Sequence, residues 1–515
     1  MLLLPTTIQA KQRRKWRRRS LNDFSREVEA IFTHHLSTEK MLAMSRDICV
    51  QLNANAKTSD ISMLPSFTHT LPTGTETGTY LALDVGGSTL RISLIELSGK
   101  DGGMQSRLTK SVFISEEVKR LRGKEFFAWM AENIDDALSS DNRRYGYGEE
   151  PLLTGLSWSF PLEQTSVGGA RILPMGKGFL CSEGITGHDL GELISEACSK
   201  RSLNIKMAAL VNDSSATLLS KAYTVPSTRM SLIVGTGTNA AIHFPVHAIG
   251  DNKFGQRDPE WFAEAKRVIV NTELSMYGGN NILTRSRWDE MLNREHIKPD
   301  FQPLEYMTTG RYLGEIVRLI IVEAVKTAGL FNGTLPSSME KPYSFDTAIV
   351  SCIETDNTAA LTASSGYLQK LHSFAEPPTP TDMMFLKSVC MSVSRRAAAY
   401  LATAIFSLWT VCNEHERSDP DVGCSYADPP SISIACDGAV ILKYPGFRER
   451  CQAYLDQLVV SASEGEAAII GDKSTTTSVK PVTNITLDIA TDDSTIYGAA
   501  VAVAVAVAGQ KSDSQ

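Results

Sequence analysis

Asp213 stands at the end of the apolar run Ala208-Ala209-Leu210-Val211-Asn212. That pattern reads as a strand delivering a carboxylate to its end. Three other runs share the build: Tyr80-Leu81-Ala82-Leu83-Asp84-Val85-Gly86-Gly87-Ser88, Leu232-Ile233-Val234-Gly235-Thr236-Gly237-Thr238-Asn239 and Ile432-Ser433-Ile434-Ala435-Cys436-Asp437-Gly438. Each is an apolar strand running into a glycine turn. Without an intervening Cβ, the amides of such turns can approach phosphate oxygens closely. Gly86, Gly87, Ser88 and Thr89 would supply one such turn, Gly235, Thr236 and Gly237 a second, and Gly438 a third. Arg91, three residues past Ser88, could neutralise a phosphate tail. Asp84 could orient magnesium through water, because that ion keeps much of its hydration shell. A carboxylate that takes up an acceptor hydroxyl's proton completes the set, and Asp213 is the candidate. The chemistry is phosphoryl transfer from a nucleotide to a small neutral acceptor. A glycine turn taken singly is more often structural punctuation, and Asp213 could instead cap a following helix, Ser214 to Ala222.

Polyhydroxyl acceptors want short planar donors and acceptors. Ser159, Lys177, Asn212, Asp213, Asn239, Glu273 and Glu305 are of suitable types. For Lys177 and Glu305 taken individually, a solvated surface role is the default.

The elements that would position these residues follow from periodicity. Phe24, Val28, Ile31 and Phe32 share one helical face within residues 20 to about 55. Leu90, Ile92 and Leu94 fall on one side of a strand, and Gly86-Gly87 between two strands predicts a hairpin turn. Gly310 to Glu323 carries a helical stripe. Residues 414–430 and 461–482 are rich in turn formers and predict surface loops. Strand, glycine turn and strand occur at 80–97 and again at 230–244, the pattern of two related α/β halves facing each other across a cleft.

With 515 residues, two domains are the natural expectation. The formal net charge of −7 disfavours nucleic acid as the main partner. The scattered cysteines and histidines predict a reducing compartment, buried inert thiols and no structural zinc. Ala397 to Cys412 is apolar but short, so it predicts a buried core helix and no membrane span. Lys11 to Arg19 is strongly basic after Met1-Leu2-Leu3-Leu4, the wrong order for a secretory signal. It reads as a solvated tail of a cytoplasmic protein, or as a nuclear or mitochondrial address.

Leu83-Asp84-Val85-Gly86-Gly87-Ser88-Thr89-Leu90-Arg91 resembles the first phosphate motif of the hexokinase family. Ser159-Phe160-Pro161 and Lys177-Gly178-Phe179 resemble its sugar loop, and Leu210-Val211-Asn212-Asp213 the segment of its catalytic aspartate. Gly235-Thr236-Gly237-Thr238-Asn239-Ala240-Ala241 is similar to the second phosphate motif. Asn271-Thr272-Glu273 and Gln302-Pro303-Leu304-Glu305 are similar to sugar-contact segments, and Cys436-Asp437-Gly438-Ala439-Val440 to the adenosine motif. The resemblance implies an α/β, two-lobed hexokinase and actin-like ATPase (ribonuclease H-like) fold with a cleft between a small and a large domain. Its expected divisions are a tail at 1–19, a helical segment of the large domain at 20–78, the small domain at 79–213, the large domain at 214–490 and a C-terminal helix at 491–515 returning to the small domain. It implies ATP and Mg2+ as cofactors and a monomer or homodimer. Asp213 is implied as base, with Lys177 and Asn212 orienting the acceptor. Ser159, Asn239, Glu273 and Glu305 would grip the sugar. Thr495 would join the glycine turns at the nucleotide.

The departures point further. Hexokinases have Gly-Gly-Thr-Asn where this chain has Gly86-Gly87-Ser88-Thr89, and Trp-Thr-Lys-Gly-Phe where it has Met175-Gly176-Lys177-Gly178-Phe179. They have Glu-Trp-Gly where it has Glu273-Leu274-Ser275, and Asp-Gly-Ser-Gly where it has Asp493-Ser494-Thr495-Ile496. This set, with Trp158-Ser159-Phe160-Pro161-Leu162-Glu163, resembles the fungal N-acetylglucosamine kinases. The losses of side chain at Gly176 and of ring bulk at Leu274 would make room for an acetamido group. The expected activity is ATP-dependent phosphorylation of the N-acetylglucosamine 6-hydroxyl. The alternatives are a glucose-preferring hexokinase or glucokinase, and an inactive hexokinase-like regulator, which the basic tail and the lost glycines at Ser494 and Ile496 would suit.

Overall fold

The structure is a computed structural model that describes residues 19–100, 102–140, 143–175, 178–418, 431–469 and 484–512. Lys177, Gly176 and the tail up to Arg18 lie outside the described residues. The chain forms two compact units: Met1–Ser37 with Thr284–Pro299 and Tyr306–Ala397, and Thr38–Leu283 with Asp300–Glu305 and Ala398–Gln515.

The second unit holds two β-sheets built on one plan. In the first sheet, β1 (Thr77–Val85), β2 (Thr89–Ser98), β3 (Met104–Phe113), β4 (Leu152–Trp158) and β5 (Ile205–Val211) run in the order β3-β2-β1-β4-β5. The second has β6 (Thr228–Val234), β7 (Thr238–Pro245), β8 (Arg267–Asn271), β9 (Ser431–Asp437) and β10 (Asn484–Ile489) in the order β8-β7-β6-β9-β10, with the short strand Leu64–Pro65 at its edge. In both sheets the first three strands pair antiparallel and the last two add in parallel. The duplication legible at 80–97 and 230–244 therefore extends through five strands of each half.

Expected and observed elements differ at their ends. The helical stretch from residue 20 is two helices, α1 (Leu21–Thr33) and α2 (Thr38–Thr58). Asp213 opens α3 (Asp213–Thr224), one residue earlier than expected. The stripe at 310–323 belongs to α4 (Leu313–Ala328), which is buried on nearly every side. Its Glu315 and Arg318 satisfy each other, at 2.7 Å and 2.8 Å, which a surface helix would not need. Residues 414–418 belong to α5 (Pro380–Ser418), and 461–469 to the helix Phe447–Ile469, so these turn-rich stretches begin as helix. The rest of both expected loops lies outside the described residues. Ala397 to Cys412 is the buried middle of α5, as its apolar run predicted. No helix among the described residues is long and apolar enough to cross a membrane.

Two helices connect the sheets. α3 leaves β5 of the first sheet and packs on β6 and β7 of the second. α6 (Ser494–Ser512) follows β10 of the second sheet and packs on β1, β4 and β5 of the first. The alternating Ala and Val of α6 leave small residues on every face, so it can lie close to its neighbours. A Cβ on Gly498 would stand 1.9 Å from Ala216 O, which shows how closely α6 and α3 approach. Leu81, Leu83, Val85, Leu90, Ile92 and Leu94 form the core under the first sheet with Phe126, Phe127 and Trp158. Ile496, Ala499, Ala500 and Val503 of α6 pack with Ala82, Val211, Ala216 and Leu219 in a second cluster.

The first unit is helical and is secured by a buried ion pair. Arg396 Nη2 donates to Asp289 Oδ1 at 2.8 Å, and its guanidinium lies 4.4 Å from the centre of the Phe32 ring. Burial by itself would push the Asp289 carboxyl up, but Arg396 and the Ser286 hydrogen bonds outweigh it and hold it below the usual range. Such a group adds stability above its unfolded value, and that stability is lost as pH falls through the lower folded value. Arg396→Met is expected to destabilise the protein by about 3–5 kcal/mol, because Asp289 is left charged and buried. Pairing it with Asp289→Leu is expected to recover most of that loss. Denaturant unfolding of the single and double variants checks both.

Candidate active site

Asp84 is the last residue but one of β1 and is 3 % exposed. Its register partner across the hairpin is Arg91, whose Nε lies 3.3 Å from Asp84 Oδ2. Arg91 also reaches Asp493 Oδ1 at 3.1 Å, so one guanidinium joins the hairpin to the residue before α6. Burial is the largest influence on Asp84 and raises its carboxyl above the ordinary value. Arg91, Ser157 and Thr495 act against that rise, and the nearby charge of Asp213 adds to it. Ser157 Oγ and Thr495 Oγ1 are buried beside Asp84, and neither closes a well-formed hydrogen bond. Gly86-Gly87-Ser88 forms the hairpin turn expected there, closed by Gly86 N–H donating to Thr89 O at 3.0 Å.

Asp213 is the first residue of α3, but it does not cap it. Asn212 does: its Oδ1 accepts from Ser214 N at 3.0 Å and from Ser214 Oγ at 2.6 Å. Asp213 Oδ1 accepts from Ser214 N at 2.7 Å, and Asp213 Oδ2 accepts from Ser159 Oγ at 3.3 Å. Ser159 is itself placed by its N–H donating to Val85 O at 3.2 Å, one residue past Asp84. Ser159, Asp213 and Asp84 thus form one neighbourhood. The start of α3 is tied to the second sheet by Ser231 Oγ, which donates to Ser214 O at 2.6 Å and accepts from Ala241 N at 3.2 Å.

A second run of candidates lines β7 and β8. Asn239 Nδ2 donates to Asn271 Oδ1 at 2.9 Å, and Asn271 Nδ2 donates to Glu273 Oε1 at 2.9 Å. Glu273 has φ +51°, a left-handed conformation it shares with twelve other non-glycine residues among those described. Glu305 Oε2 accepts from Thr238 N at 3.1 Å, so this carboxylate lies at the second glycine turn beside Asn239. The solvated surface role open to Glu305 is not what the structure shows.

The third glycine turn stacks on the second. Gly438 has φ +104°, and a Cβ there would lie 2.6 Å from the carbonyl carbon of Val234. Only glycine lets the two turns approach this closely. Asp437 Oδ1 accepts from Gly438 N at 2.6 Å, and Asp437 Oδ2 accepts from Ser494 Oγ. Asn271, Asp437 and Ser494 were not singled out from sequence. Asn271 and Asp437 stood inside the quoted motifs, whereas Ser494 had been read only as a missing glycine.

Among the described residues no group of three or more His, Cys, Asp or Glu side chains could hold a metal. Magnesium asks for less, since it binds through one or two carboxylates and takes its other ligands from water and phosphate. One buried carboxylate whose charge is disfavoured, two hydroxyls without well-formed partners and three glycine turns fit a magnesium-bound nucleotide.

Glycine turns at matching places in two duplicated sheets, with a carboxylate at the head of the connecting helix, suit a phosphotransferase. Two family models described as Hexokinase match residues 27–223 and 229–505. The chain is 32% identical over 412 residues to a hexokinase of Schistosoma mansoni, covering 79% of this chain and 84% of that protein. It is 27% identical over 434 residues to Hexokinase-1 of Saccharomyces cerevisiae, covering 84% of each. The solved Schistosoma mansoni hexokinase complexed with glucose superposes with a TM-score of 0.74 at 27% identity, covering 94% of this chain and all of that one. The chain belongs to the hexokinase family and has its two-domain α/β fold. It is a sugar kinase by that membership.

Proposed function

We propose that the protein transfers the terminal phosphoryl group of ATP to the 6-hydroxyl of N-acetylglucosamine, giving N-acetylglucosamine 6-phosphate for amino-sugar catabolism. The observation that carries the transfer chemistry is the Asp213 carboxylate, which meets Ser159 Oγ at 3.3 Å and stands within electrostatic reach of Asp84. Asp213 takes up the proton of the acceptor hydroxyl. Asn239, Glu273 and Glu305 offer acceptors and a donor to the remaining hydroxyls, with Asn212 and Ser159 at the reacting end, a role the family resemblance also implies for Lys177. Gly86, Gly87, Ser88, Thr89, Arg91, Gly235, Thr236, Gly237, Gly438 and Thr495 would hold the nucleotide, and Asp84 its magnesium through water. The bound magnesium nucleotide supplies the phosphoryl group and neutralises charge on it. Exclusion of water from the reacting groups limits wasteful hydrolysis.

The choice of sugar rests on the sequence departures at Gly86-Gly87-Ser88-Thr89, Met175-Gly176-Lys177, Glu273-Leu274-Ser275 and Asp493-Ser494-Thr495-Ile496. Leu274 is fully buried, so the loss of a ring there would act through the placement of Glu273 and not by direct contact with the sugar. A glucose-preferring hexokinase is the second reading, favoured by the glucose held in the Schistosoma relative. A panel of N-acetylglucosamine, glucose, mannose and glucosamine with ATP and magnesium separates them. N-acetylglucosamine is expected to exceed glucose in kcat/KM by about tenfold or more, the scale of a pocket built for one extra group. A reversed order would assign the protein to glucose, and no ADP release with any sugar would leave a regulator.

A further inference from the structure

Ser494 occupies a place where hexokinases carry glycine, and it is fully buried. It lies between two polar side chains from different elements. Its Oγ meets Asp437 Oδ2 on one side and Thr217 Oγ1, at 3.0 Å, on the other. A serine hydroxyl has one hydrogen. Ser494 donates that hydrogen to Asp437, so Thr217 is the donor to Ser494. The chain of bonds has one direction: Thr217 to Ser494 to Asp437, whose other oxygen holds Gly438 N–H at 2.6 Å.

Its ends matter. Thr217 lies four residues after Asp213 on α3, one turn along the same helix face. Gly438 is the turn stacked on Val234 and Gly235. Thr495, the next residue, points its hydroxyl toward Asp84. We propose that Ser494 is a positioning residue that sets the nucleotide-binding turn at Asp437-Gly438 in register with the helix carrying Asp213. Resting on the phosphotransfer reading above, it makes the extra hydroxyl of this chain a functional gain in place of a lost glycine. Neighbouring contacts hold the same two segments together: Lys221 Nζ donates to Ile489 O at 2.9 Å, and Ser220 meets Thr491. Ser494 differs from them in reaching the nucleotide turn itself.

The test uses the full chain with Ser494→Ala, Thr217→Val and the double variant. A non-hydrolysable ATP analogue with magnesium is titrated by calorimetry, and initial rates are measured against ATP and against sugar. Each single variant is expected to weaken analogue binding and raise the KM for ATP by about tenfold, the scale of one hydrogen bond to a charged group. The KM for sugar is expected to stay within about twofold, and the double variant to be no worse than the worse single, because both break one chain. Unchanged analogue binding in Ser494→Ala overturns the proposal, as does an equal shift in both KM values or additive losses in the double variant. Should Ser494→Ala fail to fold, Thr217→Val carries the same readouts. Failure of the wild type to bind the analogue would instead sink the phosphotransfer reading.

Discussion

Asp213→Ala is expected to lower kcat by about 10²–10⁴-fold, the range for loss of a positioned general base, while leaving thermal stability almost unchanged. Both halves follow from one arrangement. Asn212 is the N-cap of α3, and the Ser214 N–H, from which both side chains accept, keeps that partner when Asp213 is removed. Its second oxygen meets Ser159, a hydroxyl of the type an acceptor sugar would bring. Had Asp213 served only as a cap, its removal would cost about 1 kcal/mol of stability and little rate. Asn212→Ala tests the cap itself, at a residue that also stands among the proposed sugar contacts. It is expected to show that stability loss, whereas Asp213→Asn keeps the shape and still loses the rate. Coupled ADP release and thermal melts of the three variants decide the matter. A lowered melting point with near-normal turnover in Asp213→Ala would return this residue to a structural role.

Asp84→Asn is expected to move activity and stability in opposite directions. Burial raises the Asp84 carboxyl above its ordinary value despite Arg91. The folded protein therefore holds this proton more firmly than the unfolded chain does. Stability falls as pH rises from the ordinary carboxylate value of 3.8 through the raised folded one, and at neutral pH the ionised group stays unfavourable. A neutral amide of the same shape removes that burden, while Arg91 keeps Asp493 as partner. The melting point without nucleotide is expected to hold or rise at pH 7, with the gain vanishing in acid. Turnover is expected to fall about 10–100-fold, the scale for groups that hold a metal through its waters. Excess magnesium should recover part of it. A variant both less stable and fully active would show that Asp84 serves the fold and not the phosphates.

Much of the site could be read from the chain because its chemistry is local. A glycine turn following an apolar strand is a contiguous pattern, and Gly86-Gly87-Ser88 and Gly235-Thr236-Gly237 both stand at hairpins as that pattern requires. Glu305 shows where contiguity ends. Nothing around it distinguishes it from a solvated acid, yet it meets the backbone of Thr238. Ser494 misled for the same reason: read against a family pattern it is a loss, but packed against Thr217 and Asp437 it completes a hydrogen-bonded chain. The turn-rich stretches from 414 and 461 begin as helix because they continue the long helices α5 and Phe447–Ile469, and a weak local preference does not stop a helix already formed.

The residues in order already determined the strand segments, the glycine turns, the duplication and the class of chemistry, because backbone freedom and side-chain period act over a few neighbours. That the amide of Asn212, and not the carboxylate of Asp213, is the N-cap of α3 was decided only in the folded molecule. So were the burial that unsettles Asp84 and the bond that ties Ser494 to the Asp437-Gly438 turn. Dielectric surroundings and hydrogen-bond partners belong to groups far apart in the chain, and only packing brings them together.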